Sequence, residues 1–133
     1  MPLNANGRSH VLVVDDQPDN LLILEDMLGE EHDVHTAENG REALAWVEGG
    51  EPVDLVLLDV MMPEMDGFEV CRRLKANAAV RDIPVIFLTT LQSADDEERG
   101  LSLGAEDFIH KPFSPAVVIA RVRNHLALSR ASR

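Results

Sequence analysis

The chain has 133 residues, 45% of them apolar, which suits one domain with one buried core and excludes a disordered composition. Its formal net charge is −12, from 24 acidic and 12 basic side chains, which argues against a nucleic-acid-gripping surface and favours cations or basic partners. Aromatic residues make up only 4%, so the core must be aliphatic. In chain order, residues 1–9 are polar and read as an N-terminal tail with no secretory h-region. Val11–Val14 is a short apolar run, a buried strand that ends in Asp15-Asp16. Pro18 suits the first turn of a helix whose face is Leu21, Leu24 and Leu28, and Gly29 stops it. Asp33–Ala37 alternates like a strand. Asn39-Gly40 turns into a helix over Arg41–Glu48, which Gly49-Gly50 and Pro52 close.

The strongest strand signal is Leu55–Leu58, a run buried on both faces that empties into Asp59, with Pro63 and Asp66-Gly67 as turn signals behind it. Phe68, Val70-Cys71 and Leu74 give the next helix face. As the only cysteine, Cys71 excludes an internal disulfide and reads as a packed helix residue. Pro84–Leu88 is a fourth buried strand, ending in Thr89-Thr90. Ser93 opens a helix to Ser102 with a poor apolar face, weakened further by Gly100. Asp107–His110 is a fifth strand, followed by Lys111-Pro112. Ser114-Pro115 then opens the last helix, with Val118, Val122 and Leu126 on one face. The stripe fades near residue 128, so 10–128 reads as the domain and 129–133 as a C-terminal tail or the start of a linker. No apolar run reaches the roughly 20 residues that span a membrane, so a soluble cytoplasmic protein is expected.

Five strand–helix units in strict alternation imply a doubly wound parallel sheet with helices on both faces. The most apolar runs, 11–14, 55–58 and 84–88, should be its central strands. In such a sheet all the strand carboxyl ends lie on one edge. That edge would gather Asp15, Asp16, Asp59, Thr89 and Lys111. Three carboxylates at close range repel and stay ionised only if a cation shares the site. Oxygen ligands suit Mg²⁺, which accepts phosphate oxygens as well. A carboxylate beside it can form an aspartyl-phosphate, with Lys111 as a compensating charge and the Thr89 hydroxyl as a donor. Each residue has a plainer reading as a cap, a strand end or a solvated lysine. All of those would have to hold together at matching strand ends. The five histidines show no metal spacing and read as surface or packing residues.

The motifs Val-Val-Asp15-Asp16, Leu-Leu-Asp59-Val-Met-Met-Pro63-x-Met-Asp66-Gly67, Phe-Leu-Thr89-Thr and Gly104-Ala-x-Asp107-Phe108-Ile-x-Lys111-Pro112-Phe together resemble the two-component response-regulator receiver domains of the CheY-like superfamily. The resemblance covers roughly residues 9–128. It implies a flavodoxin-like (βα)5 fold of strand order 2-1-3-4-5. It implies phosphotransfer from a sensor histidine kinase or phosphotransfer protein to Asp59. Mg²⁺ would lie on Asp16 and Asp59, on Asp15 through water, and on the Met61 carbonyl. It further implies phosphoryl contacts from Thr89 and Lys111, a cis Lys111-Pro112 bond, and a switch pair of Thr89 and Phe108. The output surface would be the fourth helix, fifth strand and fifth helix. An effector domain C-terminal to the chain would fit the ending. The domain would act only on itself, by phosphotransfer and autodephosphorylation. Met61 and Leu91, both apolar and sizeable, should set the phosphoryl lifetime by hindering the attacking water. Asp107 and Arg121 match a cross-contact of some phosphorylation-dependent homodimers, although Val117 stands at a position that is often acidic there.

Two other classes compete. A Mg²⁺-dependent phosphohydrolase with an aspartyl-phosphate intermediate would need an Asp-x-Asp after the first strand, whereas Asp15-Asp16 runs into Gln17-Pro18. A non-phosphorylated binding module would be expected to lack some of the five site residues, and all five are present.

Overall fold

The computed structural model describes residues 8–90 and 93–131. Its elements alternate: β1 (Ser9–Val14), α1 (Pro18–Leu28), β2 (His32–Ala37), α2 (Gly40–Glu48), β3 (Leu55–Asp59), α3 (Gly67–Ala76), β4 (Val85–Thr89), α4 (Ala94–Ser102), β5 (Asp107–His110) and α5 (Pro115–Ala131). The five strands are parallel in the order β2-β1-β3-β4-β5, so the three most apolar runs are the central strands, as expected. Among the described residues, no helix is long and apolar enough to cross a membrane.

Period-two alternation sends each strand's side chains to two separate cores. Leu12, Val14, Val56, Leu58, Phe87 and Phe108 lie on the face covered by α2, α3 and α4, with Phe87 and Phe108 against Gly100 of α4. Val11, Val13, Leu55, Leu57, Ile86, Leu88 and Ile109 face α1 and α5, where Leu21, Leu24, Leu28, Val118, Val122 and Leu126 cover them. Each buried aliphatic side chain contributes about 1.5–3 kcal/mol relative to exposure. These two layers fix the sheet, and the sheet fixes its carboxyl edge.

Local caps follow the sequence. Asn39, Asp66 and Ser93 each accept from the backbone N–H three residues on, at the starts of α2, α3 and α4. Several element ends shift by one or two residues from the sequence reading, and two of the differences reach the edges of the domain. The N-terminal tail ends earlier than residue 9, because Ser9 begins β1 and the Arg8 guanidinium bonds Asp33 and the carbonyls of Gly29, Glu30 and His32. At the other end the helix passes residue 128 and reaches Ala131, with Arg130 donating to the Ser9 hydroxyl.

The turn between β3 and α3 is held tightly. The Gly67 N–H donates to the Val60 carbonyl at 2.8 Å. A Cβ on Gly67 would overlap the Asp59 carbonyl oxygen and lie 2.9 Å from Val60 Cα. Both neighbours are backbone and cannot rotate away. Gly67→Ala is therefore expected to destabilise the chain by about 1–3 kcal/mol. Chemical denaturation of the two proteins checks this, and equal midpoints would contradict it.

Candidate functional site

Strand geometry delivers the site. β1 ends at Val14, and the next residue, Asp15, is fully buried, its backbone N–H bonded to the Ala37 carbonyl at 3.1 Å. Asp59 is the last residue of β3, opposite Leu88 of β4, and is 2% exposed. Thr89, the last residue of β4, is also buried. Lys111 follows β5, and its backbone N–H bonds the Thr89 carbonyl at 2.9 Å. The Lys111-Pro112 peptide is cis.

The expected side chains meet. Asp15, Asp16 and Asp59 each bring a carboxylate oxygen within 4.8 Å of the others, the only such metal-capable group of acids, histidines and cysteines among the described residues. Lys111 Nζ lies 3.3 Å from Asp15 Oδ2 and 3.3 Å from Asp59 Oδ1. Burial, and then the neighbouring Asp15 charge, push the Asp59 carboxyl up to about 6, against the opposing pull of Lys111 and the Met61 N–H. The pocket therefore holds more negative charge than one ammonium balances. Three carboxylates of that kind fit a hard divalent cation with oxygen preference, Mg²⁺ above all.

Other site residues separate by environment. The Met61 side chain is 60% exposed, while its N–H reaches Asp59 Oδ1 at 3.4 Å. Leu91 lies outside the described residues. Phe108 is buried against Phe87, with ring centres 5.4 Å apart. Asp107 and Arg121 face each other inside one chain at 3.7 Å, and His125 Nε2 lies 3.0 Å from the other Asp107 oxygen. Both carboxylate oxygens of Asp107 thus have partners before any second chain arrives. Cys71 is buried as expected, and burial pushes its thiol up to about 11.

One participant was missed. Asp15 accepts from the Gln17 N–H at 3.0 Å and from the Asn20 side-chain amide at 3.2 Å. Asn20 orients the buried carboxylate. The legible signal was a polar residue in the first turn of a helix opening at Pro18, directly after the acidic strand end.

The comparisons with known proteins agree with this geometry. The response regulator receiver domain model matches residues 11–123. The chain is 46% identical over 117 residues to the response regulator PleD of Caulobacter vibrioides, covering 87% of this chain and 26% of that protein. It is 41% identical over 131 residues to a probable cyclic di-GMP phosphodiesterase of Vibrio cholerae, covering 98% of this chain and 30% of that protein. It thus spans less than a third of the length of these two relatives. Among solved structures, the receiver domain of a signal transduction histidine kinase from Syntrophus aciditrophicus is 40% identical with a TM-score of 0.82, covering 90% of each chain. A CheY-like response regulator receiver protein from Methanospirillum hungatei gives a TM-score of 0.87 at 25% identity, covering 95% of this chain and 99% of its own. With its matched span, its strand order and its cluster of acids at the sheet edge, the chain belongs to the response regulator receiver domain family.

Proposed function

We propose that this chain is a phosphorylation-operated switch. Asp59 accepts a phosphoryl group from the phosphohistidine of a sensor histidine kinase or phosphotransfer protein, and the surface of α4, β5 and α5 passes the change to an effector. Receiver domains as a family are signalling modules that accept phosphoryl groups, bind Mg²⁺ at acidic residues and work with histidine kinases. The observation that carries the reading for this chain is the convergence of Asp15, Asp16, Asp59 and Lys111 at one sheet edge.

Asp15, Asp16, Asp59 and the Met61 carbonyl would hold Mg²⁺. When bound, the ion supplies positive charge that offsets the carboxylates and the incoming phosphoryl oxygens. Asp59, ionised, attacks phosphorus with a carboxylate oxygen as the phosphorus–nitrogen bond to the kinase histidine breaks. Lys111 exchanges a carboxylate contact for a phosphoryl oxygen, and the Thr89 hydroxyl donates to another. Thr89 and Phe87 share one face of β4, and Phe108 stands opposite Phe87 on β5. A Cβ on Gly100 of α4 would lie 2.6 Å from Phe108 Cζ, so that ring rests directly on the α4 backbone. Inward movement of Thr89 therefore reaches α4 through two rings. The effector is a C-terminal domain or separate partner, since both named curated relatives are much longer than the chain. A homodimer through Asp107 and Arg121 would first have to break the pairing of those residues within the chain.

Intact mass after incubation with Mg²⁺ and acetyl phosphate should show one phosphoryl adduct on the wild type and none on Asp59→Asn. An unmodified wild type would overturn the reading. Met61→Asn and Leu91→Glu should each speed phosphoryl loss roughly tenfold, about 1.4 kcal/mol on the barrier. Unchanged decay would remove the shielding role.

The raised Asp59 carboxyl also sets a pH dependence. In the metal-free chain the folded state takes up this proton near pH 6, whereas the unfolded chain does so near 3.8. The ionised group thus opposes folding at neutral pH, and that cost fades as pH falls through 6 toward 4. Asp59→Asn should be more stable than wild type at pH 7.5, by on the order of 1–3 kcal/mol. The difference should shrink toward pH 4. Thermal unfolding across this range tests it, and a pH-independent difference would refute it.

A further inference from the structure

A second cluster of chemistry lies at the opposite end of β1. His10 on β1 and His35 on β2 are 25 positions apart in sequence, yet His10 Nδ1 and His35 Nε2 approach to 3.0 Å. The register explains it: Leu12 pairs with His35 and His10 with Asp33, so both imidazoles stand on the α2 face of neighbouring strands. Their ring centres are 5.2 Å apart with planes within 14°, and the close nitrogen pair is at hydrogen-bond distance, one ring donating and the other accepting. Trp46 of α2 packs beside them, its ring 4.9 Å from His35. Both histidines are half-buried and reachable by solvent.

We propose that His10 Nδ1 and His35 Nε2 form a two-histidine site for a divalent transition-metal ion, copper(II) in preference to the others. Two nitrogens bound about 2.0–2.1 Å from one metal, at angles from square-planar to tetrahedral, lie about 2.9–3.4 Å apart. The observed spacing falls in that range. Imidazole suits copper, nickel and zinc, and copper heads the affinity order. Binding moves the donating ring's proton to its far nitrogen and tilts the rings toward the ion. Both rings then bind as neutral imidazoles. Burial, and then the proximity of His10, hold the His35 imidazolium below its usual range, which keeps that ring neutral at physiological pH. The carboxylates of Asp33 and Glu51 lie within electrostatic range of His35 and favour a cation there. Water fills the remaining positions on the open side. Mg²⁺, which prefers oxygen, has no claim on this site. Asp15, five residues on and just past the end of β1, is about 17 Å away at the rise of a strand.

The only tryptophan of the chain is the reporter. With Mg²⁺ in excess, titration of the full chain with Cu²⁺ should quench Trp46 fluorescence saturably, at one ion per chain. His10→Gln and His35→Gln should each raise the half-saturating concentration at least about tenfold, since losing even a partner behind a metal ligand costs that much. His125→Gln, remote on α5, should leave the titration unchanged. Far-UV circular dichroism confirms folding of each variant, and His10→Gln alone decides if His35→Gln does not fold. An independent readout is a rise in the thermal midpoint with Cu²⁺ that the histidine variants lack. Absence of saturable quenching in the wild type, or quenching that survives both substitutions, would overturn the proposal.

Discussion

The constraint on which the rest depends is uncompensated negative charge at the carboxyl edge of the sheet. Asp15 and Asp59 are buried, within reach of each other, and share one lysine. Burying ionised carboxylates is costly unless they are paired and hydrogen-bonded. The fold bears that cost because two packed layers hold β1 and β3 side by side, with Val14 opposite Leu58. The strands cannot separate to relieve the repulsion without opening both cores. Asn20, the Gln17 N–H and Lys111 reduce the cost without removing it. The site is thus poised for an added cation, and the raised proton affinity of Asp59 is the same fact seen through another ligand.

From this edge the structure offers an unequal choice of what can move. α5 is anchored by Val118, Val122 and Leu126 in the core. Arg121 bonds the Phe108 carbonyl and Arg123 pairs with Glu31. The only buried residue of α4 is Gly100. A displacement of Phe108 therefore works against little buried surface on α4, on which its ring rests, while α5 on the other side of the sheet is held by a full apolar face. Few buried contacts are what distinguish elements that open at low cost. Gly100, which lowers helix propensity, is explained by the same contact: the Phe108 and Phe87 rings occupy the space a side chain would need.

Much of this was legible in the chain. The three most apolar runs became the central strands because burial on both faces leaves no polar alternation to conceal. Asp59, Asp15 and Lys111 could be placed because parallel topology sends every strand end to one edge. Tertiary partnerships of exposed-looking residues were not legible. Arg8 read as tail because nothing local marks a guanidinium that caps a distant helix end. His10 and His35 show no ligand spacing along the chain because their proximity comes from strand register, which sequence spacing does not encode. Asn20 was overlooked because its role depends on the direction of one side chain into the cleft.

The basic C-terminal stretch shows how partnership changes the meaning of composition. Read linearly, Arg121, Arg123 and Arg130 form a local positive patch on an acidic protein. In the fold, Arg121 serves the Phe108 carbonyl and Asp107, Arg123 serves Glu31, and Arg130 serves Ser9. Arg121 and Arg123, already paired with carboxylates, contribute little net field, and a polyanion would have to displace those carboxylates to use them. These arginines therefore act as ties that hold α5 along the sheet. The helix continues past residue 128 to Ala131, with Arg130 still bonded to Ser9 at the start of β1. A segment attached beyond α5 would inherit a direction set by these ties, so the end of α5 is geometrically coupled to the Phe108 strand.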